Sequence, residues 1–367
     1  MKRISWITGD YFLDTDINII RYLCSYYDIN WIIIINRNST IDYEKYVKSS
    51  LGTTHISLSF IYLKERSRSL KIIRTYYDII KKAKSFTPDI YYLSFIGIPY
   101  GLFLYKQMLP IEKCVIPCHN VTTPKGAKIE KIAKIYTHFW LNTFKNIQVF
   151  SKGQYNKLTE KYKNKNVLYA PMVIKDYGEP TNQIDKLNSS IIRFLFFGNI
   201  VEYKQLDILI DATNILAKQG FRFKVRIAGA CNNWKKYQML IKYPDYFELE
   251  IKRIPNEDVA NLFGDSHYFV MPYQDIAQSG AITVAFRYNL PVICSNIKPF
   301  KEFVKDNETG FMFEKGNANS LAEKMKWIIE NHSKIYESVC TKEQHFVEKN
   351  FSLNTIINKY QSYIGKI

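Results

Sequence analysis

The sequence predicts an α/β protein with two domains, each built on a parallel sheet. The chain of 367 residues exceeds what one hydrophobic core usually supports. Short apolar runs alternate with longer amphipathic stretches of helical period, which is typical of strands joined by crossover helices. A polar segment containing Gly178 and Pro180 interrupts this alternation near mid-chain, after which the alternation restarts. We therefore expect two doubly wound domains facing across a cleft, with ligands beyond the carboxyl ends of the strands.

In the first half, short runs rich in β-branched and aromatic residues predict buried strands, and helix-period residues from about Ile17 to Tyr27 predict a helix. The runs are bounded by polar or turn-forming residues, which sets their length to that of ordinary strands. The predicted strands are Ile4–Thr8, Trp31–Ile35, Ile90–Leu93, Cys114–Pro117 and Ile147–Phe150.

The second half repeats the pattern more regularly, with glycine or proline directly after several strands. We predict strands at Arg193–Phe197, Lys224–Ala228, Glu248–Ile251, Tyr268–Met271 and Pro291–Cys294, and helices at Leu206–Lys218, Ser279–Tyr288 and Leu321–Glu330. The expected domain boundaries give a first domain over 1–176, a linker over 177–190 and a second domain over 191–345. A last helix over 346–367 is expected to pack back toward the first domain.

The formal charge of +17 is unevenly distributed. Residues 1–180 hold 27 of the 51 lysines and arginines but only 14 of the 34 acidic residues. A basic half indicates an anionic partner or simply a basic, well-solvated surface. Two basic stretches also carry apolar residues at helical spacing, as in helices that lie on anionic bilayers or in ordinary core-packing helices. They are Lys64–Lys84 and Lys125–Trp140, the latter with lysines at 125, 128, 131 and 134.

Cysteine usage and hydropathy favour a cytoplasmic protein. The six cysteines are scattered and form no disulfide framework, which fits a reducing compartment. Cys114, Cys118 and His119 form only a weak candidate for a zinc site. The basic start is followed by aspartates rather than a signal-peptide core, and the strongest apolar run, Trp31–Ile35, is far shorter than the roughly 20 residues of a membrane span.

The segment 271–285 carries the strongest chemical signal. A strand ends at Pro272, a polar loop follows, and Ser279 and Gly280 open a helix. Serine is a good N-cap, glycine permits close approach of a ligand, and the free amides of the first helical turn favour phosphate groups. The alternative is that this pair only caps a structural helix.

Together with Asn289–Asn296 and Phe300–Phe311, this segment resembles the donor-binding domain of the GT-B glycosyltransferases of the "glycosyl transferases group 1" family, in its family 4-like, Gln-Ser-Gly subgroup. Three further stretches match in order: Phe196–Lys204, Ile227–Gly229 and Ile254–Val259. The resemblance covers residues 190–340 and fades in the first half. It implies two Rossmann-like domains and retaining transfer of a sugar from a nucleoside diphosphate sugar, without a cofactor or a metal.

The resemblance also implies site residues. Lys204 matches the cation that holds the donor diphosphate, and a cation there would stabilise charge on the leaving group. Two departures stand out, because the family's paired glutamates would fall at Ile276 and Val284, and its turn arginine at Asn199. The implied donor-binding residues are Gly198, Asn199, Lys204, Gly229, Arg253, Ile254, Gln278, Ser279, Gly280, Ala281 and Glu302.

In the first half, His119 follows a predicted strand and is a candidate for orienting or deprotonating the acceptor, or a structural residue. An unperturbed pKa near 6.5 would suit a general base. Gly9 and Asp10 end the first strand and join His119 on the acceptor side. Asp10 and Asp16 are alternative bases.

The expected function is transfer of a sugar to a glycan acceptor, lipid-linked at the inner face of the membrane, in bacterial surface polysaccharide (O-antigen, lipopolysaccharide or capsule) synthesis. The basic first domain would contact the anionic membrane surface, as a peripheral protein. No nucleic-acid-binding motif accompanies the charge, so a nucleic-acid partner is not expected. The alternatives are a nucleotide-sugar epimerase of the same fold and a non-catalytic scaffold, the latter suggested by Ile276 and Val284.

Overall fold

The computed structural model describes residues 1–39, 41–51, 56–121, 130–181, 184–276 and 279–367, without the side chains of 130–133. The contacts divide the chain into two compact units. Unit 1 contains Met1–Val173 and Leu353–Ile367, and unit 2 contains Ile174–Ser352. The division falls close to the predicted start of the linker at 177, whereas the return to unit 1 comes after Ser352 rather than at 346.

Unit 1 contains, within the described residues, a sheet of seven parallel strands in the order β3-β2-β1-β4-β5-β6-β7. This order is the doubly wound one, with the strand order reversing between β1 and β4. The strand β2 alternates between Ile32 and Ile34 on one face and Trp31, Ile33 and Ile35 on the other. Both faces are buried, which explains the continuous apolar run in the sequence. The strands are β1 Arg3–Gly9, β2 Asp28–Ile35, β3 Ser57–Tyr62, β4 Ile90–Leu93, β5 Cys114–Cys118, β6 Asn146–Val149 and β7 Asn166–Tyr169.

In the described parts of unit 1, six helices accompany the strands, and a seventh returns from the C-terminal end. The returning helix is held by the hydroxyl of Tyr360, which accepts a hydrogen bond from Gln148 Nε2 at 2.6 Å, and by Tyr363, which donates to the carbonyl of Asn166 at 2.9 Å. These helices are α1 Leu13–Leu23, α2 Tyr43–Leu51, α3 Ile72–Ser85, α4 Gly101–Met108, α5 Glu130–Thr143, α6 Lys152–Lys161 and α12 Leu353–Ile364.

Unit 2 repeats the same topology with six parallel strands among its described residues, in the order β10-β9-β8-β11-β12-β13. The order reverses between β8 and β11. Large aromatic side chains such as Phe194, Phe196 and Phe269 fill its core. The strands are β8 Ile192–Phe197, β9 Phe223–Ala228, β10 Phe247–Glu250, β11 Tyr268–Met271, β12 Val292–Ser295 and β13 Gly310–Phe313. The helices are α7 Leu206–Lys218, α8 Trp234–Gln238, α9 Asn256–Gly264, α10 Gly280–Arg287 and α11 Ala318–Phe351.

The two basic stretches that were candidates for helices coincide only partly with helices of the structure. In the run Lys64–Lys84, the helix α3 begins at Ile72, so the residues before Ile72 are not part of it. In the second stretch, Lys125 and Lys128 lie outside the described residues and nothing is described of the Lys131 side chain, while Lys134 lies on α5 and is exposed.

Candidate functional site

The residues predicted to bind a donor come from five loops of unit 2. Gly198 follows β8, Gly229 follows β9, Arg253 follows β10, Ser279 follows β11 and Glu302 follows β12. Because all these strands are parallel, the five loops lie at one edge of the sheet. The loops after β8 and β11 flank the point where the strand order reverses, which is the usual ligand position in an open α/β sheet.

Two glycines bring the loops after β8 and β9 into close contact. Gly198 has φ +100° and Gly229 has φ +154°, both in the region that favours glycine. A Cβ atom on Gly229 would lie 2.1 Å from the carbonyl oxygen of Gly198. A Cβ on Gly198 would lie 3.0 Å from Nζ of Lys204. Gly229 therefore allows the two loops to touch, and Gly198 leaves room for the ammonium group of Lys204 at the edge of the sheet.

Lys204 is buried, with only 8% of its surface exposed. It ends a short 3-10 turn, Glu202–Lys204, between β8 and α7. Its Nζ lies 5.8 Å from the ring centroid of Phe196 and 5.3 Å from that of Tyr273. These aromatic rings give partial compensation for a cation. Among the residues that the structure describes, none forms an ion pair with this ammonium group or accepts a hydrogen bond from it.

Burial lowers the pKa of Lys204 from 10.5 to about 8. A buried ammonium group without a counter-ion is costly, since its hydration is lost and nothing equivalent replaces it. Such a group is a ready partner for an anion, and it remains largely charged at neutral pH. The sequence predicted the cation, but it did not assign any role to Tyr273, which the structure places beside it.

The helix α10 presents its N-terminus at the same edge of the sheet. Ser279 is the N-cap residue, with extended backbone (φ −136°, ψ 117°), and its side chain makes no capping hydrogen bond. The first-turn amides of Gly280 and Ala281 consequently lack a side-chain partner from the cap, as expected of a helix that receives a phosphate. Gln278 lies outside the described residues.

The other predicted donor residues occupy more ordinary positions. Asn199 and Arg253 are exposed, Ile254 packs against the core of unit 2, and Glu302 is half-buried. The two positions where the family has glutamates are apolar for a structural reason. Val284 is only 1% exposed within the core, and Ile276 packs against it.

In unit 1, His119 follows β5 and its imidazole lies between two phenyl rings. The ring centroid lies 4.1 Å from that of Phe12 and 4.3 Å from that of Phe150, both stacked. Burial lowers the pKa of His119 to about 3. The expectation of a pKa near 6.5 is therefore wrong, because an imidazolium between two apolar rings loses its hydration. At neutral pH this ring is neutral and a weak base.

The alternative bases of unit 1 are engaged in the structure. The Asp10 carboxylate accepts hydrogen bonds from the backbone amide of Asn36 at 3.0 Å and from its side-chain amide at 2.6 Å. It thereby ties the turn after β1, which follows Gly9 directly, to the end of β2. Asp16 is buried and accepts from Trp6 Nε1 at 3.0 Å and Thr8 Oγ1 at 2.7 Å, while burial raises its pKa to about 6.

The described residues contain no group of three or more His, Cys, Asp and Glu side chains arranged to hold a metal ion. No helix in the described ranges is both long and apolar enough to cross a bilayer.

The fold and the sequence both match known glycosyltransferases. The structure is similar over 100% of its length to a glycosyltransferase from Rickettsia africae, with a TM-score of 0.77, 19% identity and 98% of that chain covered. It also resembles Anabaena HepE, solved with UDP and glucose, with a TM-score of 0.76, 14% identity and both chains fully covered. These likenesses define the fold, which is the GT-B fold with two Rossmann-like domains.

The family model of the glycosyl transferases group 1 matches residues 181–345, which is most of unit 2. A glycosyltransferase of Haemophilus influenzae is 20% identical over 296 residues, covering 79% of this chain and 81% of the relative. The capsular polysaccharide biosynthesis glycosyltransferase CapM of Staphylococcus aureus is 24% identical over 279 residues, covering 74% and 64%. Residues 181–345 thus match the group 1 family, and the relatives found over most of the chain are glycosyltransferases.

Proposed function

We propose that this chain transfers a sugar from a nucleoside diphosphate sugar to a glycan acceptor, with retention of anomeric configuration. The observation that carries the donor proposal is Lys204, a buried ammonium group without a described counter-ion. It lies beside Gly198, at the edge of the sheet where the N-terminus of α10 also lies. Cation and helix amides together suit a diphosphate and need no metal. HepE, with the same fold, was solved with UDP-glucose.

In this proposal the carbon–oxygen bond between the sugar and the diphosphate breaks while an acceptor hydroxyl attacks the sugar carbon. Lys204 stabilises the negative charge that develops on the leaving phosphate. His119 is too weak a base to take the acceptor proton, since its pKa is about 3. A leaving phosphate has a second pKa of about 6 and is the stronger base. We therefore assign the proton to the leaving phosphate, and to His119 a hydrogen bond that orients the acceptor.

The acceptor proposal is a growing, lipid-linked glycan in bacterial surface polysaccharide synthesis. Its support is the name of CapM among the relatives, and that of a poly(ribitol-phosphate) α-N-acetylglucosaminyltransferase of Staphylococcus aureus, 21% identical over 222 residues. The excess of basic residues in 1–180 supports a position at the cytoplasmic, anionic face of the membrane. No metal or cofactor is required in this proposal.

The test is a thermal-unfolding screen with UDP, GDP, ADP, TDP and CDP, followed by transfer assays with the sugars of the nucleotide that binds. At about 100 times its dissociation constant, a bound nucleotide stabilises the fold by roughly 2.7 kcal/mol. Analysis of the product by nuclear magnetic resonance gives the anomeric configuration. Interconversion of the donor sugar without release of nucleotide would indicate an epimerase instead. No stabilisation by any nucleotide would refute the donor site.

Nucleotide affinity should decrease as the pH rises above about 8. The free enzyme loses the Lys204 proton with a pKa of about 8, and the diphosphate binds the protonated form, so binding raises this pKa. The affinity then falls by up to about tenfold per pH unit above 8. Isothermal titration calorimetry in buffers of different ionisation enthalpy should show proton uptake at pH 8 to 9. Affinity that stays constant from pH 7 to 9.5 would contradict a charged Lys204 in the complex.

Replacing His119 by Gln should weaken use of the acceptor by about tenfold, the value of one oriented hydrogen bond. The shape of the pH profile between 5 and 8 should not change, because the neutral ring does not titrate there. The readouts are kcat/KM for the acceptor and the thermal shift with nucleotide, which should stay as in the wild type. His345→Gln, on an exposed position of α11, is the matched control. If kcat/KM for the acceptor changed with pH around 6.5 in the wild type but not in His119→Gln, His119 would be a general base instead.

A further inference from the structure

Tyr273 lies beside the ammonium group of Lys204, and the proposed transfer step gives it no role. It follows β11 directly after Pro272 and is only 1% exposed. The Nζ atom of Lys204 lies over the Tyr273 ring, 5.3 Å from its centroid, and over the Phe196 ring at 5.8 Å. Both distances are within the roughly 6 Å at which an aromatic ring attracts a cation. The ammonium group is thus in contact with rings from two different segments.

The Tyr273 ring is held in place by its surroundings. The carbonyl oxygen of Tyr273 accepts a hydrogen bond from Oγ of Ser295 at 2.5 Å. Its ring meets that of Tyr203 edge-on, with the centroids 6.0 Å apart and the planes at 89°. The backbone amide of Gln274 donates to the carbonyl of Tyr203 at 2.7 Å. Because Tyr203 directly precedes Lys204, these contacts join the turn that ends at the lysine to the segment that carries the ring.

Among the residues that the structure describes, no carboxylate compensates the charge of Lys204. Burial lowers its pKa, and no charged neighbour contributes to the change. The nearest acid along the chain, Glu202, forms an ion pair with Lys236 at 3.1 Å. The titratable groups on the adjoining segments are the phenols of Tyr203 and Tyr273, and burial raises the pKa of both. They are therefore neutral wherever the lysine is charged.

We propose that Tyr273 is a positioning residue for the donor, which keeps Lys204 charged before the diphosphate binds. The inference rests on the proposed function in that it takes Lys204 as the diphosphate ligand. A carboxylate in this place would stabilise the ammonium group more strongly, but it would repel the diphosphate and would have to be displaced. An aromatic ring stabilises the cation without competing for it. Tyr273 acts through Lys204 and needs no contact with the donor.

The first test is the pH dependence of nucleotide affinity in Tyr273→Leu, measured by isothermal titration calorimetry. A desolvated contact between a cation and a ring contributes about tenfold, so the pKa of Lys204 should fall from about 8 to about 7. The affinity should then be about tenfold below that of the wild type at pH 9, and nearly equal to it at pH 6. Tyr273→Phe retains the ring and should restore the wild-type pH dependence.

Phe223→Leu is the matched control. Phe223 begins β9, belongs to the same core as Tyr273 and is 3% exposed. Its ring contacts Phe194 and Tyr246. Its replacement removes an aromatic ring from the core while leaving the two rings beside Lys204, so the affinity should still begin to fall near pH 8. An unchanged pH dependence in Tyr273→Leu, or the same change in Phe223→Leu, would overturn the proposal.

A second test needs no nucleotide. Lys204→Met is introduced into the wild type and into Tyr273→Leu, and denaturant unfolding at pH 6 gives the folding equilibrium constants of all four chains. Without the Tyr273 ring the buried charge is less well compensated, so its removal should raise the folding constant by about tenfold more in Tyr273→Leu than in the wild type. An equal gain in both would overturn the proposal. If Tyr273→Leu does not fold, Tyr273→Met takes its place, because methionine fills irregular space without a ring.

The two tests separate this proposal from the donor site itself. If no nucleotide binds to the wild type, the donor site is refuted, while the unfolding measurements still decide whether Tyr273 supports the charge of Lys204. If nucleotide binds, but Tyr273→Leu shows neither the shifted pH dependence nor the larger gain, the role of Tyr273 is refuted and the donor site is unaffected.

Discussion

Lys204→Met is expected to abolish stabilisation of the chain by its nucleoside diphosphate and to lower the transfer rate by a factor of about 100 to 1,000. Methionine has a similar length and fills the same space beside Phe196 and Tyr273, so the change removes the charge and little else. In the proposed mechanism this charge holds the diphosphate and stabilises it as it leaves. The measurements are the thermal shift with nucleotide and kcat with saturating donor.

The same substitution should stabilise the chain in the absence of nucleotide. The pKa of Lys204 in the folded protein, about 8, is below the ordinary 10.5, so the unfolded chain binds the proton more tightly. Between these two values, stability increases with pH, and below pH 8 the buried charge costs up to about 3 kcal/mol. Removing the charge should therefore gain about 1–3 kcal/mol at neutral pH, seen as a rise in Tm. Such a gain would indicate that stability is sacrificed at this position for binding.

Lys236→Met is the matched control. Lys236 is an exposed lysine of α8, and its Nζ lies 3.1 Å from Oε1 of Glu202. Glu202 begins the short turn that Lys204 ends. Its loss should change neither the nucleotide shift nor kcat by more than about twofold, since exposed ion pairs contribute little. If Lys204→Met retained the full nucleotide shift, or if both variants lost it equally, Lys204 would not be the diphosphate ligand.

The sequence predicted the central strands well, and of the edge strands it predicted only β10, at Glu248–Ile251. The strands at Ile90–Leu93 and Tyr268–Met271 coincide with β4 and β11, because central strands buried on both faces read as continuous apolar runs. The edge strands β3 and β7 were not predicted. Most residues of β3 and β7 are only half-buried, so neither strand carries a strong apolar signal.

The last helix of unit 2 was predicted to end at Glu330, but α11 continues to Phe351. Beyond Glu330 the buried positions keep the helical spacing, but His332 and Glu343 among them are polar and interrupt the hydrophobic pattern. Neither glycine nor proline interrupts the stretch, so nothing terminates the helix before the extended backbone of Ser352.

The place of Lys204 in the fold could be predicted from the sequence, but its burial and its pKa could not. Parallel strands place their following loops at one edge, so the order of strand, glycine and lysine was sufficient to locate Lys204. That the lysine is buried, and that His119 lies between Phe12 and Phe150, depends on tertiary packing between segments distant in sequence. The pKa values of both groups follow from that packing, which no local pattern encodes.

Gly229→Ala should be the most damaging glycine substitution at the site, costing about 3 kcal/mol or more. The new Cβ would lie 2.1 Å from the Gly198 carbonyl oxygen, a backbone atom that can move only if the loop after β8 moves. Gly220→Ala is the matched control, because Gly220 also has positive φ, +78°, but no atom within 4 Å. It should cost about 1 kcal/mol from backbone strain alone. Denaturant unfolding of both variants measures the difference.

The contact between the two glycines also predicts a functional effect. In Gly229→Ala the displaced Gly198 should carry the donor loop with it and weaken nucleotide binding by more than tenfold, whereas Gly220→Ala should bind normally. Should Gly229→Ala fail to fold, Gly198→Ala gives a second measurement, because its Cβ meets only the flexible end of Lys204, at 3.0 Å. That variant should fold and bind nucleotide more weakly. Normal nucleotide binding by Gly198→Ala would show that the ammonium group acts from a position other than the one beside Gly198.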